Sequence, residues 1–118
     1  MTDLAYSLRP ATGDDAEKVT ALVNAAYGHY VERIGMTPRP MTDDYTEVIR
    51  NSRVTVAESN QMMVGVIVLN MTDEGFLIDN VAVDPSYHGK GVGKALLTFA
   101  EAEARRGSIP FIFTHTRR

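Results

Sequence analysis

Three glycines at every second position, Gly89, Gly91 and Gly93, stand among three basic side chains in the run His88-Gly-Lys-Gly-Val-Gly-Lys94. A chain without Cβ atoms at alternate positions can bring several amide groups close to one anion. A helix opening there adds roughly half a positive charge at its N-terminus. His88, Lys90 and Lys94 add side-chain donors around the same place, so the loop suits a pyrophosphate. Two common nucleotide motifs do not fit it. A P-loop needs four residues between its glycines and then Lys followed by Ser or Thr, whereas three residues separate Gly89 from Gly93 and Ala95 follows Lys94. A dinucleotide fingerprint reads G-x-G-x-x-G inside a parallel unit, whereas these glycines are evenly spaced and follow what reads as an antiparallel meander. Just upstream, Asp79 and Asn80 interrupt the apolar stretch Phe76-Leu-Ile-Asp-Asn-Val-Ala-Val83. With a period of two, Asp79 shares a face with Leu77, Val81 and Val83, and Asn80 shares the other with Ile78 and Ala82. Each is a polar group among apolar neighbours and needs a partner.

The loop requires a strand before it and a helix after it, and the sequence supplies both. Phe76–Val83 reads as a strand stopped by Asp84-Pro85, because Pro85 has no N–H for a ladder. From Gly91 onward Val92, Leu96, Phe99, Ala100 and Glu103 fall on successive helical turns, ended by Arg105, Arg106 and Gly107. Upstream, Val54 and Val56 alternate with Thr55 and Ala57, a turn is expected at Ser59-Asn60, and Met62–Leu69 is a dense apolar run. With a second turn at Thr72 to Gly75, these segments form a three-stranded meander. Nearer the N-terminus, Tyr6–Arg9 reads as a short strand, and Thr12-Gly-Asp-Asp15 offers a helix cap with an acidic first turn. Val19, Leu22, Val23, Ala26, Tyr27 and Tyr30 then share one helical face. Gly28, Gly35, Pro38 and Pro40 break up the stretch beyond it, and Thr42 is the expected cap of a short helix carrying Tyr45, Val48 and Ile49. Ile109–Thr114 reads as a last strand, reached by a right-handed, parallel crossover. The order predicts an α+β class with a mixed, mostly antiparallel sheet flanked by helices.

At 118 residues the chain fits one domain. With 44% hydrophobic and 23% charged residues it is expected to bury a core. The absence of cysteine excludes disulfides, thiolate nucleophiles and cysteine metal sites. A formal charge of -3 argues against nucleic acid as a partner. The N-terminus has no signal-peptide pattern, and the longest apolar run is far too short to cross a bilayer, so a soluble, cytoplasmic protein without membrane partners is expected. His29 and His115 lack companions for a metal site or a triad, and no serine sits in a nucleophile elbow, so neither a metal nor hydrolase chemistry is expected.

His88-Gly-Lys-Gly-Val-Gly93, with Val81-Ala-Val-Asp-Pro85 before it and Ala95-Leu-Leu97 after it, resembles motif A of the GNAT-type N-acetyltransferase superfamily. That motif reads Arg or Gln, two residues, Gly, one residue, Gly or Ala; here His88 stands at its first position. The element order from Leu8 to Thr114 agrees as well, so the likeness covers nearly the whole chain. It implies one GNAT-like domain over residues 1–118, ending before the family's further helix and closing β-hairpin. It also implies acyl transfer from acetyl-CoA, as donor cosubstrate, to an amine of a small molecule or protein. A lysine-like amine with a pKa of about 10.4 is almost wholly protonated at neutral pH, so its proton must be taken up. The resemblance places that base near the third meander strand, where Asp79 is the candidate. It assigns main-chain contacts with the acetyl carbonyl and pantetheine to Val81 and Val83, and the pyrophosphate to His88, Gly89, Lys90, Gly91, Val92, Gly93 and Lys94. Tyr27, Tyr30 and Arg33 would border the acceptor. Two other readings stay open: a CoA-binding module with impaired or no catalysis, and a truncated fragment of an acetyltransferase. The last strand, with Phe111 and Phe113, would leave an unpaired edge for which a homodimer is the expected cover.

Overall fold

A computed structural model of the chain describes the backbone of residues 6–34, 39–109 and 111–112, and the side chains of residues 6–28 and 40–109. The strands are β1 (Ser7–Pro10), β2 (Arg53–Ser59), β3 (Met62–Thr72), β4 (Gly75–Val83) and β5 (Phe111–Ile112). The helices are α1 (Ala16–Ile34), α2 (Tyr45–Asn51) and α3 (Val92–Arg106). The five strands form one sheet in the order β1-β2-β3-β4-β5. Successive pairs are antiparallel up to β4, and β5 runs parallel to β4. The described part of the last strand is shorter than the expected Ile109–Thr114. Phe113 and Thr114, and the dimer edge that includes them, lie outside the described residues.

Local chemistry explains the connections. Asn60 and Gln61, with φ of 53° and 67°, form the β2–β3 turn, one residue later than expected. A two-residue hairpin turn of this hand needs both central residues in the left-handed region. At the β3–β4 turn the Thr72 hydroxyl donates to the Gly75 carbonyl at 2.8 Å and accepts the Glu74 N–H at 3.1 Å. Before α1 the Asp15 carboxylate accepts the Thr12 N–H at 2.8 Å, satisfying one of the donors orphaned at a helix start. Gly28 does not interrupt α1, which continues to Ile34. A mid-helix glycine costs only about 1 kcal/mol, and the burial of Val19, Leu22 and Val23 outweighs it. The cap of α2 is Asp44 and not Thr42: its carboxylate accepts the Thr46 N–H at 3.0 Å.

Helices cover both faces of the sheet. On one face Val19, Leu22 and Val23 of α1 and Tyr45 of α2 pack against Val54, Val56, Val66, Val68 and Ala82. On the other, Val92, Leu96 and Ala100 of α3 pack against Ala57, Val64, Ile67 and Leu69. Central strands buried on both sides carry apolar residues almost continuously, which conceals their alternation. The close seat of α3 depends on Gly65, where a Cβ would stand 2.7 Å from Val92 Cγ1 and 3.1 Å from Leu96 Cδ1.

The pairing of β3 with β4 contains a bulge. Leu69 faces Ile78 and Val68 faces Asn80, so Asp79 is the extra residue. The strict period of two therefore fails: Ile78 packs with Val81 and Val83 on the α3 face, while Ala82 belongs to the α1 face. A second irregularity lies on β3, where Ala57 pairs with Gly65 and Glu58 with Met63, leaving Val64 unmatched.

An ion cluster fastens β1 to the start of α1 and to β2. The Arg9 guanidinium grips Asp15 through Nη1–Oδ2 at 2.8 Å and Nη2–Oδ1 at 2.9 Å. It holds Glu58 through Nε–Oε1 at 3.1 Å and Nη2–Oε2 at 3.0 Å. Hydrogen bonds from Arg9 hold the carboxyls of Asp15 and Glu58 below the usual carboxylate range.

Candidate active site

The end of β4 has a determined direction. Asp84 donates its N–H to the Val64 carbonyl on β3 at 2.9 Å. Backbone groups of an antiparallel strand alternate between facing the neighbour and facing away. Asn80 and Ala82 therefore turn their N–H and C=O groups to β3, and Val81 and Val83 turn theirs to the opposite edge. The Tyr27 hydroxyl, which donates to the Val81 carbonyl at 3.3 Å, agrees with that direction. Among the described residues β5 pairs with β4 only at Phe76 and Leu77, so no described strand meets the outward groups of Val81 and Val83.

Beyond β4 the chain makes a tight turn. The Asp84 carboxylate accepts the Ser86 N–H at 2.8 Å, and Tyr87 donates its N–H to the Asp84 carbonyl at 2.8 Å. His88 and Lys90 donate their N–H groups to the carbonyls of Pro85 and Tyr87, each at 3.3 Å, so these two amides serve the turn. Gly89 and Gly91 have φ of 78° and 86°, the left-handed region that glycine adopts without strain. A Cβ at either would meet nothing within 4 Å, so the need for glycine is conformational rather than steric.

Helix α3 begins here. Its first bond runs from the Ala95 N–H to the Gly91 carbonyl at 3.0 Å, so the N–H groups of Val92, Gly93 and Lys94 precede it and take no backbone acceptor among the described residues. His88, Gly89, Lys90, Gly91 and Lys94 are exposed, whereas the Val92 side chain is buried and only its amide can face a ligand. The amides of Gly89 and Gly91 likewise take no backbone acceptor among the described residues, so main-chain donors line the loop from Gly89 into the first turn of α3.

The other sequence candidates lie nearby or outside the description. Asp79 is partly exposed at the bulge and engages in polar contact within the fold. Tyr27 lies on α1 over the middle of β4, but its hydroxyl turns inward: it donates to Asn80 Oδ1 at 2.8 Å as well as to Val81. Tyr30 and Arg33 belong to α1, and their side chains lie outside the described residues. Sequence reasoning did not find Tyr45, whose hydroxyl accepts from Asn80 Nδ2 at 3.0 Å and donates to the Pro40 carbonyl at 2.7 Å. The only signal was Asn80 itself, a buried amide that had to find partners. Among the described residues no group of three or more His, Asp and Glu could hold a metal ion, and no helix is long and apolar enough to cross a membrane.

A strand with outward amides running into a glycine turn and a helix N-terminus presents a set of main-chain donors. The family model described as the acetyltransferase (GNAT) domain matches residues 50–117. The chain belongs to the GNAT acetyltransferase family. No curated protein matches the sequence significantly. Solved structures share its fold at low identity. The ribosomal-protein-alanine N-acetyltransferase of Brucella melitensis biovar Abortus 2308 is 18% identical with a TM-score of 0.72, over 97% of this chain and 82% of that one. The PaiA N-acetyltransferase of Thermoplasma acidophilum, in complex with coenzyme A, is 16% identical with a TM-score of 0.73, over 89% of this chain and 75% of that one. A GNAT family acetyltransferase of Brucella melitensis in complex with acetyl-CoA is 17% identical with a TM-score of 0.70, over 90% of this chain and 72% of that one.

Proposed function

We propose that the chain transfers an acetyl group from acetyl-CoA to an amine. The observation that carries this reading is the outward direction of the Val81 and Val83 backbone groups, leading into a loop whose main-chain donors include the amides of Val92, Gly93 and Lys94. The first-turn amides and the exposed Lys90 and Lys94 side chains suit a pyrophosphate. The Val83 groups suit the amide-bearing pantetheine arm, as one more strand would. The Val81 N–H suits the thioester oxygen, which gains negative charge when the amine attacks.

In that reaction the amine nitrogen forms a bond to the acetyl carbon, the carbon–sulfur bond breaks, and the sulfur leaves as a thiolate that takes up a proton. The amine's own proton must go to a base, directly or through a water, and Asp79, two residues before Val81, is the residue for that role. Tyr27, Tyr30 and Arg33, all on α1, are proposed to border the acceptor. The test is release of free CoA thiol from acetyl-CoA in the presence of a panel of primary amines. Amine-dependent release supports the reading. Binding of CoA without release for any amine would overturn transfer and leave a CoA-binding module.

A further inference from the structure

We infer that Tyr27, Asn80 and Tyr45 are positioning residues that hold the Val81 amide in its acyl-facing orientation, an inference that rests on the acetyl-transfer reading above. Asn80 is 5% exposed in the middle of an apolar layer. Burying an amide there is costly unless its hydrogen bonds are met, and an apolar residue such as Ala82, two positions on, serves packing alone. Both polar atoms of the Asn80 side chain are nevertheless engaged. It accepts from Tyr27 Oη at 2.8 Å and donates to Tyr45 Oη at 3.0 Å, and Tyr45 donates onward to the Pro40 carbonyl at 2.7 Å. One network thus joins α1, α2, the segment leading into α2, and β4.

Its position along β4 gives it a purpose. Asn80 follows the bulged Asp79 and precedes Val81. A bulge loosens the ladder locally and lets the strand bend, and beyond it the β3 ladder holds Asn80 and Ala82 but not the outward groups of Val81, which the network reaches from the other side. The Val81 N–H lies between two anchored points: the Asn80 side chain on one side and the Val81 carbonyl, held by Tyr27 at 3.3 Å, on the other. Tyr45 fixes the amide that fixes Tyr27. A fully satisfied buried network of this kind specifies one arrangement, and an oxyanion donor is useful only when its direction is set beforehand.

Tyr27→Phe removes the hydroxyl and keeps the ring, so it separates positioning from packing. The experiment follows the backbone amides of the uniformly 15N-labelled full chain during titration with CoA and then acetyl-CoA, alongside steady-state kinetics. In the wild type the Val81 resonance should move further with acetyl-CoA than with CoA. In Tyr27→Phe that acetyl-dependent movement should vanish while the amides of residues 89–94 respond as before. The kcat should fall by about 10-fold or more, less than the roughly 100- to 1000-fold cost of losing a donor outright, with KM for acetyl-CoA within about 3-fold. Tyr45→Phe should act in the same sense. A Tyr27→Phe protein that melts earlier but keeps both the wild-type Val81 response and kcat overturns the inference and leaves a structural network. If the wild-type residues 89–94 ignore CoA, the function reading fails instead. The ligand-free spectra then decide the positioning claim: a Val81 resonance unmoved by Tyr27→Phe overturns it, and a displaced one sustains it.

Discussion

Asp84 donates its backbone N–H to the carbonyl of Val64 at 2.9 Å, and this one bond determines which amides at the end of β4 are free to meet a ligand. Val64 stands two residues before Val66, which pairs with Ala82, so its carbonyl faces the β4 side where the loop begins. Counting back from Asp84 by twos puts Ala82 and Asn80 on the β3 side and leaves Val81 and Val83 to the cleft.

Gly65→Ala should damage both the core and the site. The new methyl would stand 2.7 Å from Val92 Cγ1 and 3.1 Å from Leu96 Cδ1, so α3 must shift outward at its first turn. Overpacking of this kind costs about 1–3 kcal/mol. Denaturant unfolding should show that loss, and calorimetry should show weaker CoA binding, because the displaced turn carries the amides of residues 92–94.

Acid should weaken the junction of β1, α1 and β2. The carboxyl of Asp15 titrates below its ordinary value of about 3.9 because Arg9 hydrogen-bonds it, and the Thr12 N–H adds to the effect. In acid the unfolded chain therefore binds this proton first. The stabilisation is complete above about pH 5 and is lost as pH falls through 4 toward the folded-state value. Asp15→Asn should cost about 1–2 kcal/mol at pH 7, a modest figure because the Arg9 side chain is 36% exposed. Thermal melts from pH 7 to pH 3 should show a smaller acid-induced fall in the variant than in the wild type.

Asp79→Asn should lower the rate of acetyl transfer by about 100-fold or more, in the range of general-base effects. The affinity for CoA should be nearly unchanged, because the carboxylate acts on the amine. Lower kcat with an unaltered binding isotherm is the expected pair of results, and an unchanged rate at every pH would return Asp79 to a structural role at the bulge.

The glycines of residues 89–93 disclosed the turn into α3 because their purpose is local: a left-handed φ at Gly89 and Gly91 is written in the residue type. The helical face of α1 was equally open, since Val19, Leu22 and Val23 repeat at the helical period. The bulge at Asp79 left no such mark. On a strand covered by helices on both sides, an extra residue changes which neighbours are met without breaking an apolar run, and Ile78 reads the same on either face. Asp44 and Thr42 are both acceptable caps by type, and only the position of the α2 turn selects Asp44. The partners of Asn80 come from residues 35 and 53 positions away in sequence, so no local pattern could name them.

Calorimetric titration of CoA into the wild type and into Gly91→Glu tests the assignment of the loop most directly. Gly91 has a φ of 86°, which a residue with a Cβ adopts at a cost of about 1–2 kcal/mol, and the added carboxylate would lie beside the first-turn amides. A Gly91→Ala control carries the conformational cost without the charge, and it should bind more weakly than the wild type but measurably. Saturable binding by the wild type with no detectable heat from a folded Gly91→Glu protein is the expected result. Equal affinity in the two proteins, or no binding by the wild type, would contradict the site.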